Sequence, residues 1–527
     1  MLSFAQLVAA ALLLCASCGE GASRPGNANF RRKPIVPIPP VHNMGPVVSQ
    51  NGTVLPPYST TYTFQQLIDH NNSSLGTFSQ RYWHTYEFYE PGGPIIFFTP
   101  GEINASPYLG YLTNGTINGQ IAQQENGAAI VLEHRFYGLS NPLPDLSVAS
   151  LRLHTIQQAI EDLKYFAENV VLPMPNGGNL KPSTTPWILV GGSYSGALTS
   201  YTMVNKPGLF AAGYGSSATV QTIFDFWQYF EPSRQYMAPN CSADIVAAIS
   251  HIDKVFTGSN TTAIQAIKNT FGMGAMTHLD DLVSALRNHF WDWQALSLRG
   301  GAGGRFFEFC DALEVKNGVN APAAGWGAKH ALNAWGQYWN QTYYALICGN
   351  ATAVDCFDTY NPTQPYYTDI TIDNAGRSWQ WIVCNEVGFF QDASPKGTPS
   401  MVSRLIQPAY DLRQCQLMFP EAFPTIPTAQ SVKTAQTNSL YAGWNVSVSN
   451  LFLANGKRDP WRYATLSAPG VTKKSTSELT IAIGEGFHCG DLSTAEAAAN
   501  PSVLAVQKAG LAAIKDWIED WEPAETD

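Results

Sequence analysis

The sequence predicts an α/β fold: a parallel sheet interrupted by a helical insertion. Three observations predict it. Short apolar runs that end in turn residues alternate with an amphipathic pattern over the first part of the chain. A long middle stretch carries helical patterns and most of the cysteines, and strand signals return near the C-terminus. At 527 residues, 45% hydrophobic and 13% charged, the chain exceeds what one core usually supports.

The first segment, MLSFAQLVAAALLLCASCGEGAS, has an apolar core from Leu7 to Cys15 that is too short to span a bilayer and gives way to small residues. It reads as a signal peptide over residues 1–22. A proline-rich stretch carrying Arg31, Arg32 and Lys33 then reads as a linker or pro-segment over 23–45, with globular structure expected from near Thr60. Strands are expected at Ile95 to Thr99 and Ala128 to Leu132, since unalternating apolar runs suit a sheet covered on both faces. Ile156, Ala159, Ile160, Leu163, Phe166 and Val170 share one helical face, and Thr155 can cap its start. Ile188 to Val190 supplies the next strand, Ala197 to Val204 a helix, and Leu209 to Val220 a further strand. From about Thr222 the alternation stops and amphipathic pieces take over, until strands return at Asn450 to Ala454 and Leu479 to Ile483 and a helix closes the chain over Val503 to Ile518. The expected organisation is an α/β part over 46–221, a helical cap over 222–427 and a second α/β part over 428–527.

The formal charge of −10 leaves no basic footprint for a nucleic-acid partner, and no later stretch is long and apolar enough to cross a membrane. Ten sequons, at Asn51, Asn71, Asn72, Asn104, Asn114, Asn240, Asn260, Asn340, Asn350 and Asn445, accord with secretion and N-glycosylation. Beyond the signal, seven cysteines remain, Cys241, Cys310, Cys348, Cys356, Cys384, Cys415 and Cys489. Odd parity predicts one free thiol, expected at Cys489, with Cys348 expected to pair with Cys356. No cysteine or histidine spacing suits zinc, so no metal and no cofactor are expected.

The stretch WILVGGSYSGALTS, Trp187 to Ser200, decides the chemistry. A nucleophile elbow follows G-x-S-x-G between strand and helix; here Gly191 stands two before Ser193, but Ser195 stands two after it. The strand-bend-helix context fits. A serine needs a base and an orienting acid, which in the α/β-hydrolase arrangement follow in the order Ser, Asp, His on loops after strands. Asp459, in LFLANGKRDPW, and His488, in LTIAIGEGFHCGD, meet that order. Asp491 and Glu485 share the loop of His488 and sit too near it to serve as the acid. The Tyr194 amide and an amide at Gly101 or Glu102 are the expected oxyanion donors.

Five segments, GGSYSG, VLEHRFYG, FQQLIDHNNSSLGTFSQRYW, WQWIVCNEVGFFQ and NGKRDPW, resemble the serine peptidases that include lysosomal Pro-X carboxypeptidase and dipeptidyl peptidase II. Together with the signal, the pro-like segment and the acidic balance, they look closest to the fungal secreted acid prolyl endopeptidases. The resemblance implies an α/β-hydrolase fold with a helical cap, a triad of Ser193, Asp459 and His488, and cleavage after proline of peptide or protein substrates. It also implies an aromatic wall for the proline ring from Trp461 and from Trp379 or Trp381, while Glu102 is a candidate holder of a substrate amine. Exopeptidase action, a secreted carboxylesterase and a silent binding ectodomain are the alternatives.

Overall fold

The computed structural model describes residues 28–29, 36–41 and 45–523. The expected signal peptide lies outside the described residues, as does most of the 23–45 segment. Eight strands build the main sheet: β1 (Tyr62–Leu67), β2 (Thr77–Thr85), β3 (Ile95–Thr99), β4 (Ala128–Leu132), β5 (Trp187–Gly192), β6 (Ala212–Ser216), β7 (Leu451–Gly456) and β8 (Leu479–Gly484). They lie in the order β1-β2-β4-β3-β5-β6-β7-β8. β2 runs antiparallel to both neighbours, and every pair from β4 to β8 is parallel.

The unalternating strands follow from burial on both faces. Ile95, Phe97, Trp187 and Leu189 point into one core, and Ile96, Phe98, Ile188 and Val190 into the other. Helices α1 (Ile117–Gln124) and α6 (Pro501–Glu519) bury Ile117, Ile121, Val506 and Ile514 in the second core. Helices α2 (Ile156–Asn169) and α3 (Ser193–Asn205) cover the first. Thr155 caps α2 as expected, its side chain accepting from the Gln158 amide. The helix after the bend begins at Ser193 rather than at Ala197, and the strand expected from Leu209 shortens to Ala212–Ser216, because Ser217 takes a positive φ of 46° and turns the chain.

Between β6 and β7 the chain is mainly helical from Glu231 to Tyr441, including α4 (Leu279–Trp291) and α5 (Ala375–Ile382). Three disulfides hold this region: Cys241–Cys310, Cys348–Cys356 and Cys384–Cys415. Cys489 is free and buried. A short parallel pair, Ile223–Asp225 with Gly388–Phe390, and a two-residue hairpin at Val315–Lys316 and Val319–Asn320 break the all-helical expectation.

Ordered structure also starts before Thr60. Val36 is 1% exposed and packs into the core, while the hydroxyls of Tyr108 and Tyr111 donate to the carbonyls of Val36 and Pro37. Asn29 donates to the carbonyls of Asp281 and Phe357 in the helical region. An extended proline-rich chain makes no internal backbone bonds, so its carbonyls are open to such donors. Among the described residues no helix is long and apolar enough to cross a membrane.

Candidate active site

The bend at Ser193 departs from G-x-S-x-G, and the structure shows how. Ser193 is the first residue of α3 and takes a positive φ of 62°, a strained conformation that costs about 1–3 kcal/mol for a residue with a Cβ. A Cβ at Gly191 would stand 2.1 Å from the Ser195 carbonyl oxygen, so glycine is required there. Ser195, where glycine is usual, closes the bend itself: its hydroxyl donates to the Gly192 carbonyl at 2.7 Å and accepts from the Gly192 amide at 3.1 Å. The second close approach moves one residue on, where a Cβ at Gly196 would meet the Ser216 carbonyl oxygen at 2.8 Å.

Three strand ends bring the polar groups together. Ser193 follows β5, Asp459 follows β7 and His488 follows β8. His488 Nε2 lies 2.7 Å from Ser193 Oγ and Nδ1 lies 2.8 Å from Asp459 Oδ1. An ionised carboxylate only accepts, so Nδ1 carries the proton and Nε2 is the acceptor facing the serine hydroxyl. Asp459 Oδ1 also accepts from the Trp461 amide at 2.8 Å, which fixes the carboxylate. Burial disfavours the imidazolium, the Asp459 carboxylate and the adjacent Cys489 favour it, and together they hold the His488 pKa well above the usual histidine value. The arrangement can therefore draw a proton from Ser193 and stabilise the charge that results.

The competing acids face elsewhere. Asp491 accepts from the hydroxyls of Tyr214 and Ser216, and Glu485 pairs with Lys457. Cys489 follows His488 with φ 54°, its amide donating to Ser217 Oγ, and burial pushes its thiol pKa up, which keeps it a thiol rather than a nucleophilic thiolate.

Tyr194 lies in the first turn of α3, where amides have no acceptor within the helix. Gly101 has φ 81°, and a Cβ there would come within 3.1 Å of Ser195 Cβ, so the loop after β3 presses against the bend. The Gly101 amide itself reaches Thr99 Oγ1 at 3.4 Å. Glu102 is fully buried, and its carboxylate adds to the burial that raises the pKa of Tyr108, Tyr137 and Tyr194.

The two tryptophans of α5 separate. Trp379 crosses the Tyr194 ring, with centroids 5.3 Å apart. Trp381, two residues on and therefore on another side of the helix, donates to the His154 carbonyl and packs on Phe419. Its described contacts are thus with His154 and Phe419, whereas Trp379 meets the residue after Ser193. Trp461 is 1% exposed, with its ring 6.4 Å from that of His488. Phe226, Tyr229 and Phe389 surround it at centroid distances of 5.6, 5.2 and 5.2 Å, and its indole donates to Gln294 Oε1. These four neighbours escaped sequence reasoning, as did His134, whose Nε2 lies 3.3 Å from the Tyr194 hydroxyl. The one sequence signal for them was the aromatic density of FDFWQYF and GFF.

The chain is 35% identical over 493 residues to the serine protease vicPb of Bipolaris victoriae, covering 90% of this chain and 91% of that one. It is 29% identical over 446 residues to a probable extracellular serine carboxypeptidase of Arthroderma benhamiae, covering 79% and 61%. It is 26% identical over 472 residues to the human thymus-specific serine protease, covering 86% of each. The family described as serine carboxypeptidase S28 matches residues 65–510, and the chain belongs to that family of serine peptidases on an α/β-hydrolase fold.

Proposed function

We propose that the protein is a secreted serine peptidase that cleaves peptide bonds after proline, within longer chains, through an acyl-enzyme at Ser193. The observation that carries the reading is the buried relay in which His488 meets Ser193 Oγ at 2.7 Å and Asp459 Oδ1 at 2.8 Å. Ser193 Oγ attacks the carbonyl carbon while Nε2 takes its proton. The oxyanion forms next to the Tyr194 amide and the loop at Gly101. The C–N bond then breaks as Nε2 returns the proton to the departing amine, leaving a serine ester. Water, deprotonated by the same nitrogen, attacks the ester carbonyl, and Nε2 returns that proton to Ser193 Oγ as the acid departs.

Proline specificity is supported by the aromatic surfaces beside the relay. Trp461 lies next to His488 and Trp379 next to Tyr194, and flat rings suit a compact, rigid pyrrolidine. Resemblance to fungal acid prolyl endopeptidases supports internal cleavage, and the sequons and the disulfides support secretion. Digestion of a long proline-containing peptide, with the cut sites read by mass spectrometry, tests both points. Internal cuts after proline are expected; cuts indifferent to proline would overturn the specificity, and trimming confined to the ends would overturn the mode.

A further inference from the structure

The loop that carries Asp459 also gathers positive charge at the surface. Lys457 and Arg458 converge on the carboxylate of Glu485, with Arg462 further along the same loop, in a chain whose formal charge is −10. Lys457 Nζ lies 2.6 Å from Glu485 Oε1 and an Arg458 terminal nitrogen 3.7 Å from Oε2. The Arg462 Nε donates to the Ser467 carbonyl. The side chains of Lys457, Arg458 and Glu485 are 40%, 32% and 34% exposed, so the group is open to solvent and its internal pairing is weak and exchangeable.

Its position is set by the same backbone that sets the relay. The amides of Lys457 and Arg458 donate to the carbonyls of Gly484 and Gly486, which ties the cations to the loop bearing His488. The Arg458 guanidinium lies 5.7 Å from the centroid of Phe487, the residue before His488. Trp293 of the helical region packs on the same ring at 5.4 Å and donates its indole N–H to the Arg458 carbonyl. The cations thus line the rim where the insertion meets the His488 loop. That imidazole hands its proton to the departing amine, so the departing segment of a substrate must run past this loop.

We propose that Lys457, Arg458 and Arg462 form a subsite for a carboxylate of the substrate on its leaving-group side, which makes cleavage selective for peptides that are acidic after the cut. The proposal rests on the peptidase reading above. The ligand chemistry is a carboxylate, from an Asp or Glu side chain or from the C-terminus of a short substrate. Glu485 occupies the cations in the free protein and exchanges with it. The cations also attract such substrates to the cleft from a distance.

The test compares internally quenched peptides that share a proline at the cut and carry Asp, Asn or Lys two residues beyond it, alongside short peptides ending in a free or an amidated carboxyl. The unaltered protein is expected to prefer Asp over Lys by about tenfold in kcat/KM at low ionic strength, with the preference shrinking as salt is added. The double variant Lys457→Gln/Arg458→Gln brings the ratio towards one, chiefly through KM. Glu485→Gln removes the competing carboxylate and raises the ratio, a change in the opposite sense that damaged folding cannot mimic. Lys515→Gln, in the last turns of the C-terminal helix and paired there with Glu519, leaves the ratio in place. A penalty for Asn within long peptides assigns the subsite to side chains, and a penalty for amidation of short ones assigns it to the C-terminus. A ratio near one in the unaltered protein, or one retained by the double variant, overturns the subsite while peptide cleavage continues. Absence of any peptide cleavage, with a simple ester still hydrolysed, overturns the peptidase reading and the subsite with it.

Discussion

Trp379 crosses the ring of Tyr194 at 65° with centroids 5.3 Å apart, so a residue of the helical region touches the residue that follows Ser193 in the chain. The contact couples the bend of the sheet to the insertion above it, and it places an aromatic edge where the acyl portion of a substrate would lie. Trp379→Ala is expected to lower kcat/KM on a prolyl substrate by about tenfold or more, since an aromatic pair of this kind is worth about 0.5–1.5 kcal/mol beyond its burial. Trp379→Phe keeps the ring and most of the rate. Equal losses on prolyl and alanyl substrates would show that the residue serves packing alone.

Ser193→Ala is expected to reduce turnover of a prolyl chromogenic substrate by at least about 10⁴-fold with the fold unchanged by circular dichroism. It should also abolish labelling by a fluorophosphonate. Labelling that persists would point to another nucleophile.

Asp459→Asn removes the acceptor that holds the Nδ1 proton and lets the ring adopt the tautomer that cannot accept from Ser193. A loss of about 10⁴ in kcat is expected, with a far smaller change in KM. Steady-state kinetics that show the reverse pattern would place Asp459 in binding rather than in orientation.

Three carboxyls should lose stabilising protons as the medium moves from acid to neutral. Burial pushes the carboxyls of Asp281 up to about 6 and of Glu314 and Glu386 up to about 7, and the Asp244 carboxylate adds to the rise at Glu314. Between the ordinary carboxyl range and about pH 7 the folded chain therefore holds protons that the unfolded chain has lost, so stability declines as pH rises. Buried His84 and His134, lowered to about 4, act in the opposite sense below their ordinary value of 6.5 and drop out above it. Glu314→Gln should thus gain on the unaltered protein by a few degrees in Tm between about pH 5 and about pH 8. A Tm difference that stays constant across that range would show that Glu314 is not the titrating group.

The sequons differ in what their side chains already do. Asn104 donates to the Asp373 carboxylate, Asn240 to the Ala321 carbonyl and Asn340 to the carbonyls of Thr270 and Gly336. These three are expected to be unglycosylated when the protein is expressed through a secretory route, and exposed Asn51, Asn71 and Asn445 are expected to carry glycan. Peptide mapping after enzymatic deglycosylation in heavy-oxygen water reads the occupancy directly, and label at Asn104 would contradict the structure.

Much of the sheet could be read from local pattern, because strands buried on both faces spell themselves as unbroken apolar runs. Ile95–Thr99 and Leu451–Gly456 are of that kind, and their ends mark where Gly101 and Asp459 must lie. β1 and β2 carry polar residues such as Gln65, Gln66 and Gln80 at the sheet margin, and give no such run. Trp379 and Trp381 stand two apart and are equivalent by composition; only the turn of the helix separates them. Phe226, Tyr229, Gln294 and Phe389 reach Trp461 from far along the chain, a convergence that no window of sequence can display. Val36 hides in a proline-rich stretch without periodicity, although its side chain fills a gap against Gly192.

The pairing of β6 with β7 joins strands about 230 residues apart. At ribosomal speeds of about 5–20 residues per second, the free margin of β6 waits on the order of 10–50 s for its partner to be made. During that interval an apolar half-sheet stands with an open hydrogen-bonding edge, an invitation to aggregation. Yield of this protein from a heterologous host is therefore expected to follow chaperone capacity during translation more than the stability of the finished molecule.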